Sequence, residues 1–271
     1  MAHHMGTPEL FRPPLDLPEM PYDHLLRLAA ARCPDRPAII FHDLILTYRE
    51  AVSMVNSVAN GLRGLGLGKG DRICLFTPNR PEYPIMLNAA ATIGAVVTPM
   101  NPSYKEREIA YQLADSEAGA ILVYRDLLPL LQIVLQQTEL PHLKHIIVSG
   151  TNPIVPSSIS GALSFARLMR DSPPMRPASV EINPDDLFAL PYSSGTTGFP
   201  KGTMLSHRNL VSNHLQFIAA SGINSADTTI IFLPMYHIYG VLLTGTFLAA
   251  GATQILLERY DPNVVLSMCE Q

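Results

Sequence analysis

The sequence predicts an α/β fold: layered, mainly parallel sheets with flanking helices. Two observations carry this expectation. Short β-rich apolar runs alternate with helix-period segments along almost the whole chain, and strand–helix–strand succession requires right-handed crossovers onto a parallel sheet. The composition, 47% hydrophobic and 15% charged, supplies enough apolar side chains for a packed core of this kind.

Taken in order, Leu25, Leu28, Ala29 and Cys33 recur at helical spacing, and Ala38 to Phe41 reads as a short strand. Thr47 and Glu50 have the spacing of a capping box, followed by the stripe Val52, Val55, Ala59 and Leu62. The glycine-rich stretch Gly64 to Gly70 fails the GxGxxG spacing and follows a helix, so it reads as a helix-to-strand turn. A strand is expected over 72–77 and a helix from Glu82 to Gly94. Ser103 with Glu106 suggests a second capping box, opening a helix through Leu113. Strands are expected near 96–99, 120–124 and 145–149 in one sheet, the last two flanking a helix over Leu127–Gln137. Gly150 to Pro184, rich in Pro, Ser and Gly, reads as a surface excursion with one short helix near Phe165–Arg170. Strands near 230–234 and 253–257 are assigned to a second sheet, packed on the first through shared helices. Ile238–Ala250 reads as a buried helix and Asp261-Pro262 as the start of another.

Several function classes are disfavoured. A net charge of −4 gives no basic footprint for nucleic acid. Cys33, Cys74 and Cys269 lie far apart, which argues against a zinc site or a disulfide framework and fits the reducing cytoplasm. Residues 1–7 have no signal-peptide pattern and read as a tag remnant, so His3 and His4 are poor ligand candidates. The apolar run from Ile238 is broken by glycines and threonines and falls short of the roughly 18 residues that span a bilayer. Residues 8–271 are read as one domain portion, with no transmembrane segment and no metal-binding residues.

The informative stretch begins with the apolar run Leu187 to Tyr192, expected as a strand. It continues as Ser193-Ser-Gly-Thr-Thr-Gly-Phe-Pro-Lys-Gly202 and then a helix with Ser206 as N-cap. Three glycines let backbone N–H groups converge on phosphate oxygens, the hydroxyls add neutral donors, and Lys201 adds a movable cation. Pro200 stands where a Walker A motif would need glycine. A plain flexible surface loop is the competing reading. Further on, His237 has the place of a helix cap for Ile238–Ala250, and Tyr236 and Tyr239 are candidate core or pocket aromatics.

Tyr192 to Leu210 resembles the phosphate-loop motif of the adenylate-forming superfamily, which includes acyl-CoA synthetases, 4-coumarate–CoA ligases, firefly-type luciferases and peptide-synthetase adenylation domains. Phe232-Leu-Pro-Met-Tyr-His-Ile-Tyr-Gly240 resembles the next motif, in a form nearest the 4-coumarate–CoA ligases. Weaker likeness covers Asn79-Arg-Pro-Glu82 and Gly94 to Pro102.

The resemblance implies that a fatty or aryl carboxylic acid is activated by Mg2+·ATP to acyl-AMP and then passed to coenzyme A. Ser193, Ser194, Gly195, Thr196, Thr197, Gly198 and Lys201 would hold the β- and γ-phosphates, with Thr197 the first choice for a direct hydroxyl contact. His237 would sit by the carboxylate and α-phosphate, and Tyr239 would line the acyl pocket, while Tyr236 is read as core and His207 and Arg208 carry no site assignment. Later family motifs for ribose, metal and the mobile C-terminal domain find no match, so the chain is expected to be an N-terminal part, inactive alone. Alternatives are an adenylation domain loading a carrier protein, a luciferase-like oxygenase and a non-catalytic nucleotide-binding module. A homodimer is left open.

Overall fold

The computed structural model describes residues 15–150, 155, 159, 161–193 and 200–269. The first half runs α1 (Asp23–Arg32), β1 (Pro37–Phe41), β2 (Leu44–Thr47), α2 (Tyr48–Gly64), β3 (Arg72–Phe76), α3 (Glu82–Ile93), β4 (Val96–Pro99), α4 (Glu106–Asp115) and β5 (Ala120–Tyr124). There follow α5 (Leu128–Gln137), β6 (His145–Ser149), β7 (Ala162–Ser164), α6 (Phe165–Arg170), β8 (Leu187–Ala189) and the short strands β9 (Tyr192–Ser193), β10 (Lys201–Gly202) and β11 (Leu205–Ser206). The last described elements are α7 (His207–Ser221), β12 (Thr228–Ile231), α8 (Ile238–Ala250), β13 (Thr253–Leu256) and α9 (Pro262–Cys269).

The fold is the expected one. One sheet has the order β11-β8-β4-β3-β5-β6-β7, parallel throughout except for β11. A second has the order β12-β13-β1-β2, with β2 the antiparallel edge. Strands β3 and β5 are buried on both faces, as helix-covered parallel strands are. Ile73, Leu75, Ala120 and Leu122 join the core shared with α2, α3 and the second sheet. Cys74, Phe76, Ile121 and Val123 turn the other way, onto α4 and α5. Helix α3 is buried on every side from Tyr83 to Ile93 and packs between α2 and β4. The two sheets are thus joined through shared helices.

Local signals decide several boundaries. Thr47 and Glu50 form the expected capping box, with Thr47 N–H to Glu50 Oε2 at 2.8 Å. Gly94, at φ 73°, closes α3 in the left-handed conformation that glycine adopts without steric cost. The turn from Gly64 joins α2 to β3.

Three expectations need correction. The cap of α4 is not Ser103 with Glu106. The helix starts at Glu106, Glu108 accepts from Lys105 N–H at 3.0 Å, and Ser103 N–H is taken by Asn101 Oδ1 at 2.9 Å. Pro102 follows the turn residue Asn101 and commits its neighbours to a turn rather than a helix entry. The strand expected over 230–234 lies at Thr228–Ile231, because Leu233 and Met235 give their backbone bonds to Asn79 instead of a neighbouring strand. The run Leu187 to Tyr192 is not one strand: it breaks at Pro191, which has no N–H for a ladder. Strands β2, β7, β9, β10 and β11 are too short, or too exposed, to leave a pattern in the sequence.

Candidate functional site

In the seven-stranded sheet the chain passes from β3 through α3 to β4 on one side, then through α4 to β5 on the other side of β3. Such a reversal leaves a crevice beyond the carboxyl ends of the two strands, where open α/β sheets bind ligands. A cavity of about 710 Å³ opens there. Asn79 follows β3, Ser103 follows β4 and Tyr124 ends β5, while Tyr236, Arg259 and Tyr260 enter from the second sheet. Phe232 and Tyr260 form a tilted ring pair at 5.1 Å across its wall. Arg259 makes no ion pair among the described residues and gives the cavity a cation.

The second sheet is tied to this crevice by two residues. Asn79, 4% exposed, donates from Nδ2 to Leu233 O at 2.9 Å and accepts from Met235 N–H at 2.8 Å. Arg80, 8% exposed, lies between the rings of Phe41 (5.0 Å) and Tyr124 (4.8 Å), with Glu82 and Glu258 each at 3.5 Å. Nothing in the local sequence pairs position 80 with 41, 124 or 258, so this junction had no signal beyond the Asn79–Glu82 likeness.

His237 caps α8: its Nδ1 accepts from Tyr239 N–H at 3.4 Å, and its backbone N–H bonds Pro234 O at 3.1 Å. His237 is exposed, next to Tyr236, which lines the cavity. Tyr236 differs from expectation. Tyr236, read as core, is half-buried and lines the cavity; Tyr239 is 45% exposed and is not among the lining residues. Strand alternation does not apply here, because 232–237 has left the sheet.

Of the loop residues, Ser194, Gly195, Thr196, Thr197 and Gly198 lie outside the described residues. Ser193 and Lys201 are described and are brought together. They pair across the antiparallel β9–β10 ladder, with Tyr192 opposite Gly202. The loop therefore closes on a hairpin base, and β11 intervenes before α7, where the sequence suggested a direct loop-to-helix passage. The hairpin follows the carboxyl end of β8, which runs parallel to β4, and its base residues Tyr192 and Gly202 line a separate cavity with Gly70, Arg72 and Gly94. Lys201 is exposed and makes no ion pair among the described residues. The base is anchored by Tyr192, whose hydroxyl donates to the Asp115 carboxylate at the end of α4 and whose ring meets Tyr111 edge-on at 6.5 Å. Burial, then the neighbouring Asp115 carboxylate, push the Tyr192 phenol pKa up, so it serves as a neutral donor.

Ser206 caps α7 as expected, with Asn209 returning the bond. The next two residues are structural. His207 is fully buried, stacked on Phe188 at 4.6 Å, and its Nδ1 accepts from Tyr22 N–H at 3.1 Å. Burial lowers its pKa to about 4, which keeps the ring neutral. Arg208 is held by Asp185 at 2.6 Å and Glu19 at 2.8 Å.

Among the described residues no three His, Cys, Asp or Glu side chains come together as metal ligands. No helix among them is long and apolar enough to cross a membrane.

A family model described as AMP-binding enzyme matches residues 26–271. The chain is 34% identical over 238 residues to 4-coumarate–CoA ligase 4 of Arabidopsis thaliana, covering 84% of this chain and 40% of that protein. It is 31% identical over 266 residues to a long-chain-fatty-acid–CoA ligase of Escherichia coli O157:H7, covering 89% and 47%. Among solved structures, a long-chain-fatty-acid-CoA ligase from Archaeoglobus fulgidus superposes with a TM-score of 0.84 at 26% identity, over 95% of this chain and 51% of that one. The anthranilate CoA ligase AuaEII, in complex with anthranoyl-AMP, gives 0.82 at 27% identity, over 93% and 48%. The chain thus spans about half the length of the proteins it matches.

Proposed function

We propose, from the premise that this chain belongs to the AMP-binding enzyme family, that its parent protein activates a carboxylic acid with ATP and transfers the acyl group to coenzyme A. A carboxylate oxygen attacks the α-phosphorus, the bond to pyrophosphate breaks, and acyl-AMP forms. The thiol sulfur of coenzyme A then attacks the acyl carbon, and AMP leaves. The acid belongs to the fatty or aryl class, which the named relatives, a long-chain-fatty-acid ligase and a 4-coumarate ligase, support.

The observation that carries this reading is a pair of features: Ser193 and Lys201 pair across the hairpin base from which the Gly/Ser/Thr sequence departs, and an aromatic-walled crevice opens beside β3 and β5. In this reading Ser193, Ser194, Gly195, Thr196, Thr197, Gly198 and Lys201 bind the β- and γ-phosphates and stabilise charge on departing pyrophosphate. His237 meets the carboxylate and α-phosphate, and Tyr239 turns to the acyl group. The crevice, with Arg259 making no ion pair among the described residues, suits an elongated ligand bearing an anionic end. Magnesium would arrive with the phosphates of ATP, and the chain's own residues would meet those phosphates.

Acid-dependent ATP–pyrophosphate exchange in the parent protein tests this, with oleate and 4-coumarate as probe acids. Thr197→Ala should lower exchange by about 10- to 1000-fold, the scale of losing one well-placed donor. Unchanged exchange would remove Thr197 from the site, and activity with no acid would refute the reading. The parent protein acts in the cytoplasm, a reading supported by the sparse cysteines, and as a homodimer, a reading supported by exposed apolar side chains such as Ile45. Cell fractionation and light scattering check these.

A further inference from the structure

Asn79 stands at the carboxyl end of β3, at the reversal point of one sheet, yet both of its side-chain bonds go to the backbone of the other sheet's exit segment. Its amide donates to Leu233 O at 2.9 Å and its carbonyl accepts from Met235 N–H at 2.8 Å. The carboxamide acts as one peptide unit of a neighbouring strand, extending pairing past the end of β12 at Ile231. Between the two anchored residues lies Pro234, whose carbonyl takes the His237 N–H at 3.1 Å. A Cβ at Gly240 would fall 2.1 Å from that same oxygen, so the first turn of α8 is pressed directly on it. An unbroken set of contacts therefore runs from β3 through Asn79 and the 233–235 backbone to His237.

We infer that Asn79 is a positioning residue that sets the height and angle of the His237 ring at the start of α8. Only a side chain with both a donor and an acceptor at this length satisfies Leu233 and Met235 together. Aspartate offers acceptors alone and would face the Leu233 carbonyl with a charge, and glutamine carries its amide one bond further out. Asn79 is 4% exposed and does not need to meet a reactant to act. The inference rests on the reading of His237 given above.

The test uses the parent protein with Asn79→Ala, Asn79→Asp, His237→Ala and, as a control for lost stability, Leu62→Ala. Leu62 is buried near the end of α2, toward the opposite end of β3. Two quantities are read: ATP–pyrophosphate exchange with oleate and 4-coumarate, and the imidazole NMR signal of His237, identified by its loss in His237→Ala. Asn79→Ala should shift that signal and lower the exchange kcat by about 10- to 100-fold, the cost of a reacting group displaced by about 1 Å. The KM for ATP should stay within about threefold, Asn79→Asp should be affected in the same sense, and Leu62→Ala should leave the signal in place. An unmoved His237 signal in a folded Asn79 variant overturns the inference. So does failure of both Asn79 variants to fold while Leu62→Ala folds, which would make Asn79 purely structural. If His237→Ala leaves exchange unchanged, the role of His237 fails instead, and the NMR signal still decides whether Asn79 positions the ring.

Discussion

At the scale of single residues, the buried histidines and one glycine have measurable consequences. His207 and His214 are fully buried, and burial lowers each pKa from 6.5 to about 4. His214 contacts Thr246 Oγ1 at 3.1 Å and has no carboxylate partner among the described residues to hold a proton. Below pH 6.5 the unfolded chain takes up protons that the native rings refuse, so stability is full above that pH and falls on acidification toward about 4. The slope is about 1.4 kcal/mol per pH unit for each histidine. Urea unfolding at pH 7.5 and pH 5 should show the loss, and equal midpoints would contradict it. Gly240 is the second case. Since its Cβ would lie 2.1 Å from Pro234 O, Gly240→Ala must push α8 away from the 232–237 segment. It should cost about 1–3 kcal/mol, the range of overpacking, and displace His237. Full stability and exchange activity in that variant would show the contact to be slack.

Individual elements are set by their ends. Helix α7 begins immediately after β11, and its first turn is satisfied by a reciprocal pair: Asn209 N–H to Ser206 Oγ at 3.2 Å and Ser206 N–H to Asn209 Oδ1 at 2.9 Å. Ser206→Ala should therefore cost about 1 kcal/mol, the usual loss for a helix cap, read as a lower urea midpoint at unchanged slope. An unaltered midpoint would mean that Arg208, clamped by Asp185 and Glu19, holds this end alone. The hairpin is the other element that matters for function. Its two-residue ladder is too short to persist unaided, and the Tyr192–Asp115 bond fastens it to α4.

For the molecule as a whole, the question is what joins two sheets of unrelated strand order. Arg80 touches both: Tyr124 ends β5, Phe41 ends β1, and Glu258 follows β13. Removing a buried cation leaves Glu82 and Glu258 facing each other without compensation. Arg80→Ala should destabilise the protein by about 3 kcal/mol. Arg80→Lys should recover only part of this, because an ammonium cannot stack flat between two rings. Thermal unfolding of the two variants checks the order, and a fully restored midpoint with lysine would reduce the contact to charge alone.

The sequence by itself determined the layered α/β class, the helix caps at Thr47 and Ser206, the short helix at Phe165–Arg170 and the residues of the family motifs. These are local properties: apolar periodicity, cap spacing and loop composition need only neighbours within a few positions. What the tertiary structure decided lies in contacts across long separations. The exit of β12 at Ile231 depends on Asn79, the junction on Arg80 meeting residues 41, 124 and 258, and the crevice on loops after β3, β4, β5 and β13 converging. Tyr236 enters that crevice because Asn79 has drawn its segment out of the strand, so period-two alternation no longer dictates which way its side chain faces.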